Sequence, residues 1–150
     1  RSSRGLGDVY KRQVIVCSKE AAERLGATPI AEILASGEVA GPDASLLTQP
    51  SRAINAALAR TDLSVGDIDL FELNEAFAAV GVASMQELGI ESDVVNVNGG
   101  AIAVGHPLGA SGTRVTFTLI NELRRRGGGT GAAALCGGGG QGEALIVKAL

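Results

Sequence analysis

The chain has 150 residues, and its 13 basic and 16 acidic side chains sum to a formal charge of −3. A net negative charge with only 3% aromatic residues argues against a nucleic-acid partner, and 45% hydrophobic residues argue against intrinsic disorder. Two cysteines are too few for a disulfide framework, and no run of about 18 apolar residues could cross a membrane. We therefore expect a soluble, cytoplasmic domain with neither a nucleic-acid nor a membrane partner.

The first thirteen residues differ from the rest of the chain in charge. Residues 1–13 sum to +3, whereas residues 14–150 sum to −6. The opening segment has no hydrophobic period and does not begin with methionine. We interpret residues 1–13 as a disordered or non-native leader, with a functional basic arm as the alternative, and residues 14–150 as the domain.

Strands and helices alternate along the rest of the chain before two strands close it. Ser18 is a predicted helix N-cap, and Gly26 and Gly89 are predicted helix ends. Two helices carry apolar residues at helical spacing, on the faces Ala53, Ile54, Ala57, Leu58 and Val115, Leu119, Ile120, Leu123. The predicted helices cover 19–25, 51–60, 75–88 and 111–126, and the predicted strands cover 14–17, 30–34, 68–73, 132–136 and 143–147.

This order predicts an α/β fold with a mixed, mainly parallel sheet flanked by helices and one antiparallel pair at its end. Ligands of such sheets bind beyond the carboxyl ends of the strands. Three groups of polar or glycine residues follow strands or enter a helix there: Asn74-Glu75, Gly105-His106-Pro107, and Cys136 with the glycines after it. We expect these groups to converge on one face.

His106 is the only histidine in the chain. A lone histidine is commonly a hydrogen-bonded structural residue, and that interpretation stays open from the residues alone. A position close to a helix N-terminus lowers the pKa of a histidine and favours the neutral ring, which suits a base or a hydrogen-bond donor.

Cys136 ends a predicted strand and enters a run of four glycines. A buried, inert thiol is the alternative, and Cys17 keeps that interpretation because no such loop follows it. Backbone N–H groups beside the sulfur of Cys136 can stabilise a thiolate or a developing oxyanion. The glycines also match a dinucleotide-binding pattern, but a strand follows them instead of a helix, and one histidine with two distant cysteines predicts no metal site.

Three blocks of the chain together resemble the thiolase family. They are NEAF at 74–77, NVNGGAIAVGHPLGASG at 96–112, and LC at 135–136 with the following GGGGQG. They occur in the family's order, and the resemblance to the C-terminal half of a thiolase covers about 14–150. Ketoacyl synthases share the fold, but Pro107 and Cys136 favour a thiolase, because the synthases typically have threonine after the histidine and lack this cysteine.

The resemblance implies catalytic roles for four residues. His106 helps to activate the nucleophilic cysteine and, with a water held by Asn74, forms one oxyanion hole. Cys136 moves the proton at the α-carbon of the second acyl-CoA or at the thiol of incoming CoA. The backbone N–H of Gly138 contributes to a second oxyanion hole. Claisen condensation needs these functions, because both thioester carbonyls develop negative charge.

The resemblance also implies the binding partners. Ala76 and Phe77 line the acyl or pantetheine channel, acyl-CoA and CoA are substrates, and no separate cofactor is needed. The family's acyl-accepting cysteine lies in the N-terminal half, and Cys17 does not match it. We therefore expect an acetyl-CoA C-acetyltransferase half that is inactive alone, that pairs with a thiolase N-terminal domain, and that forms a homo-oligomer in the complete enzyme. The alternative is a non-catalytic binding or assembly module.

Overall fold

The computed structural model describes residues 13–150. The predicted leader therefore lies outside the described residues, except for Gln13. The helices are α1 (Lys19–Leu25), α2 (Gln49–Leu58), α3 (Ala78–Leu88), α4 (Ala101–Val104) and α5 (Leu108–Arg125). The strands are β1 (Ala31–Ala40), β2 (Leu70–Leu73), β3 (Gly129–Gly137) and β4 (Gln141–Ala149).

The helix ends follow local signals in the sequence. The Ser18 hydroxyl accepts a hydrogen bond from the Ala21 N–H at 3.2 Å and caps α1. Gly26 and Gly89 end α1 and α3 with φ of 62° and 66°, a left-handed conformation that costs glycine little. Both predicted helix ends are confirmed. Helix α3 begins at Ala78, three residues later than predicted.

The strands form one mixed sheet in the order β1-β4-β3-β2. Strand β4 is antiparallel to both of its neighbours, and β2 is parallel to β3. The α/β class and the mixed sheet are confirmed, but the expectation of mainly parallel pairing is corrected, because two of the three strand pairs are antiparallel. The short glycine turn after β3 forces β4 to run back beside it, and β1 then pairs with β4.

Residues 14–17 are not a strand, contrary to the prediction. Within the described residues they pair with no other strand, and the Ile15 side chain is 94% exposed. Apolar, β-branched residues favour a strand, but a strand forms only where a neighbour satisfies its backbone hydrogen bonds. Residues 14–17 thus have the composition of a strand, but no partner strand lies beside them within the described residues.

One helix packs on each face of the sheet. Ala53, Ile54 and Ala57 of α2 are buried in one hydrophobic cluster, and Val115, Leu119 and Leu123 of α5 are buried in the other. Both predicted apolar faces therefore form the core. Gly131 of β3 lets α5 approach closely, because a Cβ there would stand 2.7 Å from a methyl group of Leu119. This close packing holds the C-terminal half of α5 against the start of β3, where Gly131 lies opposite Leu70 of β2.

Residues 13–150 lack two kinds of feature. No helix in that range is long and apolar enough to span a lipid bilayer. The same residues contain no group of three or more histidine, cysteine, aspartate or glutamate side chains placed to hold a metal ion.

Candidate functional site

The three predicted polar groups lie at the end of the sheet where β2 and β3 finish. Asn74 directly follows β2, and its backbone N–H donates to the carbonyl of Ala134 on β3 at 2.9 Å. Cys136 follows two residues later on the same strand. His106 precedes α5, and its imidazole lies against the side chain of Asn74. The expected convergence is confirmed for Asn74 and His106, and β3 carries Cys136 to the same end of the sheet.

Hydrogen bonds assign the tautomer of His106. The Ser111 hydroxyl lies 2.6 Å from Nδ1 of His106 and donates its own proton to the Pro107 carbonyl at 3.2 Å. The hydroxyl oxygen therefore accepts from an Nδ1–H group. Nε2 is left as an acceptor, and the amide nitrogen of Asn74 lies 3.2 Å from Nε2 and 3.4 Å from Nδ1. A neutral imidazole with an unprotonated Nε2 is the form that can act as a base.

The electrostatic surroundings keep His106 neutral. Partial burial and, second to it, the nearby Arg114 cation lower the pKa of His106 below its ordinary value. The predicted direction of the shift is confirmed. At neutral pH the ring is therefore available to take a proton.

Cys136 lies half-buried near the end of β3, opposite Gly142 in the register with β4. Burial raises the pKa of the Cys136 thiol, and a backbone hydrogen bond opposes that shift only in part. Of the two functions that the sequence suggested for the glycines, stabilising a thiolate is thus outweighed by burial, and the thiol is protonated at rest. A protonated thiol suits a group that donates and recovers a proton.

The glycine turn is tightly held on one side and open on the other. A Cβ at Gly140 would overlap the carbonyl oxygen of Asp43, and a Cβ at Gly142 would overlap that of Gln49. At Gly138, a Cβ would meet nothing within 4 Å. The segment 43–49 thus packs against Gly140 and Gly142. Gly138, two residues after Cys136, borders open space.

Ala76 and Phe77 lie in the connection between β2 and α3. Ala76 is half-buried, and its N–H donates to the carbonyl of Asn74 at 2.9 Å. The Phe77 side chain is 61% exposed. Both residues stand next to Asn74 in the chain, and Phe77 offers an apolar surface to a ligand.

Sequence reasoning assigned no role to Glu75 or Asn96, which hold the site's loops together. Glu75 accepts from the Asn96 amide at 2.8 Å and from the Ile102 N–H at the start of α4 at 3.0 Å. The Asn96 side chain also bonds the N–H and the carbonyl of Leu73, both at 2.9 Å. These contacts lie in the non-helical connection that precedes the start of α3 at Ala78. A carboxylate beside Asn74 was the only local signal.

Arg114 and Glu72 were missed as well. The guanidinium of Arg114 donates to Oδ1 of Asn74 at 3.3 Å and to the carbonyl of Gly105. Glu72 is buried in β2, and burial raises its pKa to about 7 although the Arg114 cation opposes the shift. A charged residue inside the apolar run Leu70–Leu73 was the signal that could have identified Glu72.

A family model described as "Thiolase, C-terminal domain" matches residues 27–149. The chain belongs to the thiolase family. The resemblance in the three motif blocks is confirmed, and so is the thiolase-like fold. The crystal structure of the Bacillus anthracis acetyl-CoA acetyltransferase matches 89% of this chain with a TM-score of 0.84 and 43% sequence identity.

Other thiolase relatives match nearly the whole described chain. The chain is 60% identical over 136 residues to the probable acetyl-CoA acetyltransferase of Mycobacterium tuberculosis. It is 46% identical over 137 residues to the human mitochondrial 3-ketoacyl-CoA thiolase. Each match covers 91% of this chain but only 35% and 34% of the respective relative. The chain thus spans about a third of the length of these relatives.

Proposed function

We propose that this chain provides the proton-transfer and oxyanion-binding part of an acyl-CoA thiolase, an acyltransferase. The reaction is Claisen condensation of two acetyl-CoA molecules to acetoacetyl-CoA and CoA, or the reverse thiolytic cleavage of a 3-ketoacyl-CoA. The observation that carries this proposal is the contact between Asn74 and a neutral His106 at the end of β2, with the protonated thiol of Cys136 on the adjacent strand.

The first half-reaction acylates a cysteine. Nε2 of His106 takes the proton of the acyl-accepting thiol, whose sulfur attacks the thioester carbonyl and releases CoA as a thiolate. Cys136 is protonated at rest because burial raises its pKa, so it can protonate that thiolate and become a thiolate itself. This step leaves an acetyl-enzyme and free CoA.

The second half-reaction forms the carbon–carbon bond. The Cys136 thiolate takes a proton from the α-carbon of a second acetyl-CoA, and the resulting enolate attacks the acetyl-enzyme carbonyl. The carbon–sulfur bond of the acetyl-enzyme then breaks, and the acyl-accepting cysteine leaves as a thiolate that recovers its proton from His106. The enolate oxygen is stabilised by protonated His106 and by a water on the Asn74 amide, and the Gly138 N–H stabilises the oxyanion at the acetyl-enzyme carbonyl. Ala76 and Phe77 lie along the acyl or pantetheine chain. No cofactor other than the CoA thioester takes part.

The acyl-accepting cysteine in this scheme comes from outside these 150 residues. Cys17 is exposed in the unpaired segment before α1, and Cys136 already has the proton-transfer role. We propose that a thiolase N-terminal domain brings this cysteine to His106. Purified chain alone is then expected to cleave no acetoacetyl-CoA with CoA above background, and repurified protein that still turned over would contradict this.

An exposed apolar surface supports the proposed docking of that domain. Phe77, Ile102, Val104 and Leu108 are 61–80% exposed and lie in the segments that flank Asn74 and His106. Burying such residues is favourable by about 25 cal/mol per Å² of apolar surface. The complete enzyme is proposed to be a cytoplasmic homo-oligomer, which sedimentation and cell fractionation of that enzyme can test.

A chimera tests the proposed function. The 136 aligned residues of the Mycobacterium tuberculosis relative are replaced by those of this chain, to which they are 60% identical. We expect the chimera to form acetoacetyl-CoA from acetyl-CoA. A folded chimera that neither acylates nor condenses would refute the proposal and favour the alternative of a non-catalytic binding or assembly module.

Two variants of the chimera separate the half-reactions. Cys136→Ala is expected to form labelled acetyl-enzyme but to slow condensation about 10²–10⁴-fold, the usual contribution of general acid–base catalysis. His106→Ala is expected to slow acylation itself, and Cys17→Ala serves as the matched control for loss of a thiol. Normal acylation in His106→Ala with none in Cys136→Ala would show that the two roles are wrongly assigned.

A further inference from the structure

Arg114 connects the two segments that carry Asn74 and His106. Its guanidinium donates one N–H to Oδ1 of Asn74 and another to the carbonyl of Gly105, the residue immediately before His106. A guanidinium presents several donors in a fixed plane, so it can hold two acceptors in one geometry. The arginine therefore ties the end of β2 to the loop that enters α5.

The oxygen and nitrogen ends of the Asn74 amide have nearly the same shape, so packing alone does not select between its two orientations. A hydrogen-bond donor on one side can select one of them. In the structure the amide nitrogen faces the His106 ring, 3.2 Å from Nε2 and 3.4 Å from Nδ1, and the amide oxygen faces Arg114. A rotated amide would place its carbonyl oxygen against the lone pair of Nε2. Arg114 has only donors, so it can bond the oxygen end of the amide and never the nitrogen end.

Asn74 is surrounded by protein and cannot rely on bulk water for this orientation. Its side chain is fully buried, and Arg114 is half-buried above it on α5. Glu72 lies two residues earlier on β2 and so projects from the same face of the strand. The contacts that hold the Arg114 guanidinium here are its hydrogen bonds to Asn74 and to the carbonyl of Gly105.

We propose that Arg114 is a positioning residue for the reaction: it fixes the orientation of the Asn74 amide so that the NH₂ group faces His106 and the oxyanion. Its relevance to catalysis rests on the proposed function, whereas the orientation itself belongs to this chain alone. Arg114 touches neither substrate nor reacting atoms, and it acts through Asn74.

Nuclear magnetic resonance of the 150-residue chain tests the orientation without any activity assay. His106 is the only histidine, so its ring signals need no assignment. We expect a nuclear Overhauser contact between the Asn74 NH₂ protons and the His106 ring in the wild type, because the two nitrogens lie 3.2 Å apart. Arg114→Met is expected to lose most of this contact, because the amide can then rotate.

Two further variants separate orientation from charge. Arg114→Lys keeps the cation, so the His106 pKa should stay lowered while the contact to the Asn74 NH₂ weakens. Arg124→Met removes a cation ten residues further along α5, about 15 Å away at 1.5 Å per residue, and should change neither signal. A spectrum of Arg114→Met that is dispersed like the wild type and retains the full contact would overturn the proposal.

A double-mutant cycle in the chimera tests the consequence for catalysis. Loss of one oxyanion donor costs about 10²–10³ in kcat, so we expect Asn74→Ala to fall in that range and Arg114→Met to lower kcat about 10–100-fold with a smaller change in KM. In the Asn74→Ala background, Arg114→Met should have no further effect, because its partner is gone. If the double variant instead lost kcat by the product of the two single fold-losses, the proposal would be overturned. A chimera that is inactive without these changes would refute the proposed function, and the resonance experiment would still decide the orientation of Asn74.

Discussion

Replacing Glu72 by glutamine should change how the stability of the chain depends on pH. Glu72 is 4% exposed in β2, and burial raises its pKa to about 7 from an ordinary 4.5. The folded state therefore binds the proton of this carboxyl more tightly than the unfolded state does. Glutamine has nearly the same shape and stays neutral at every pH, so Glu72→Gln isolates the ionisation.

The sign and size of the effect follow from this shift. Below about pH 4.5 the carboxyl is protonated in both states, and its effect on stability is constant. Between pH 4.5 and 7 the unfolded state ionises first, so the free energy of unfolding falls as pH rises. One pKa unit corresponds to about 1.4 kcal/mol, so a shift of this size lowers the free energy of unfolding by about 3 kcal/mol at pH 8.

Urea unfolding of the full chain between pH 4.5 and pH 8 measures this difference. The stability of Glu72→Gln relative to wild type should rise by about 3 kcal/mol between pH 4.5 and pH 8. Because the pKa of His106 is lowered in the folded state, His106 makes the free energy of unfolding rise with pH up to about pH 6.5. This contribution is the same in wild type and Glu72→Gln, so it cancels in the difference. Glu143→Gln, on the exposed side of β4, controls for the lost charge.

One result would refute the reasoning about Glu72. If wild type gained stability relative to Glu72→Gln as pH rose, the carboxyl would be ionised in the folded state, and its attraction to Arg114 would outweigh burial. A difference that did not depend on pH would show that Glu72 has the same pKa in both states.

Three further predictions concern the loops and the histidine. Gly140→Ala should destabilise the chain by about 3 kcal/mol, because φ is +76° and the new Cβ overlaps a backbone carbonyl, whereas Gly138→Ala should unfold at nearly the wild-type urea midpoint. The imidazole of His106, followed by proton resonance, should titrate below its ordinary pKa of 6.5; a midpoint at or above that value would contradict the burial argument. Glu75→Gln should lower the free energy of unfolding by about 1–3 kcal/mol, because one acceptor oxygen becomes an NH₂ group that faces the Ile102 N–H or the Asn96 amide. An unchanged urea melt would show that these hydrogen bonds contribute little.

Features that depend only on neighbouring residues could be predicted from the sequence. Ser18 and Gly26 bound α1 because capping and left-handed turns are local, and the apolar face of α5 is visible in its 3.6-residue period. The motif blocks identified Asn74 and His106, and the tertiary structure places their side chains in contact. Their roles in catalysis stay predictions.

Only the tertiary structure decided which segments pair and which polar groups meet. The antiparallel pairing of β1 with β4 joins residues that are more than 100 positions apart, such as Ala31 and Ala149. Residues 14–17 are apolar like β2 but have no partner strand, so they form no strand. Glu75 meets its amide partner 21 residues away, and Arg114 meets Asn74 40 residues away. Such bonds leave no periodic trace in the sequence, because a hydrogen bond requires that two groups meet in space and places no constraint on the residues between them.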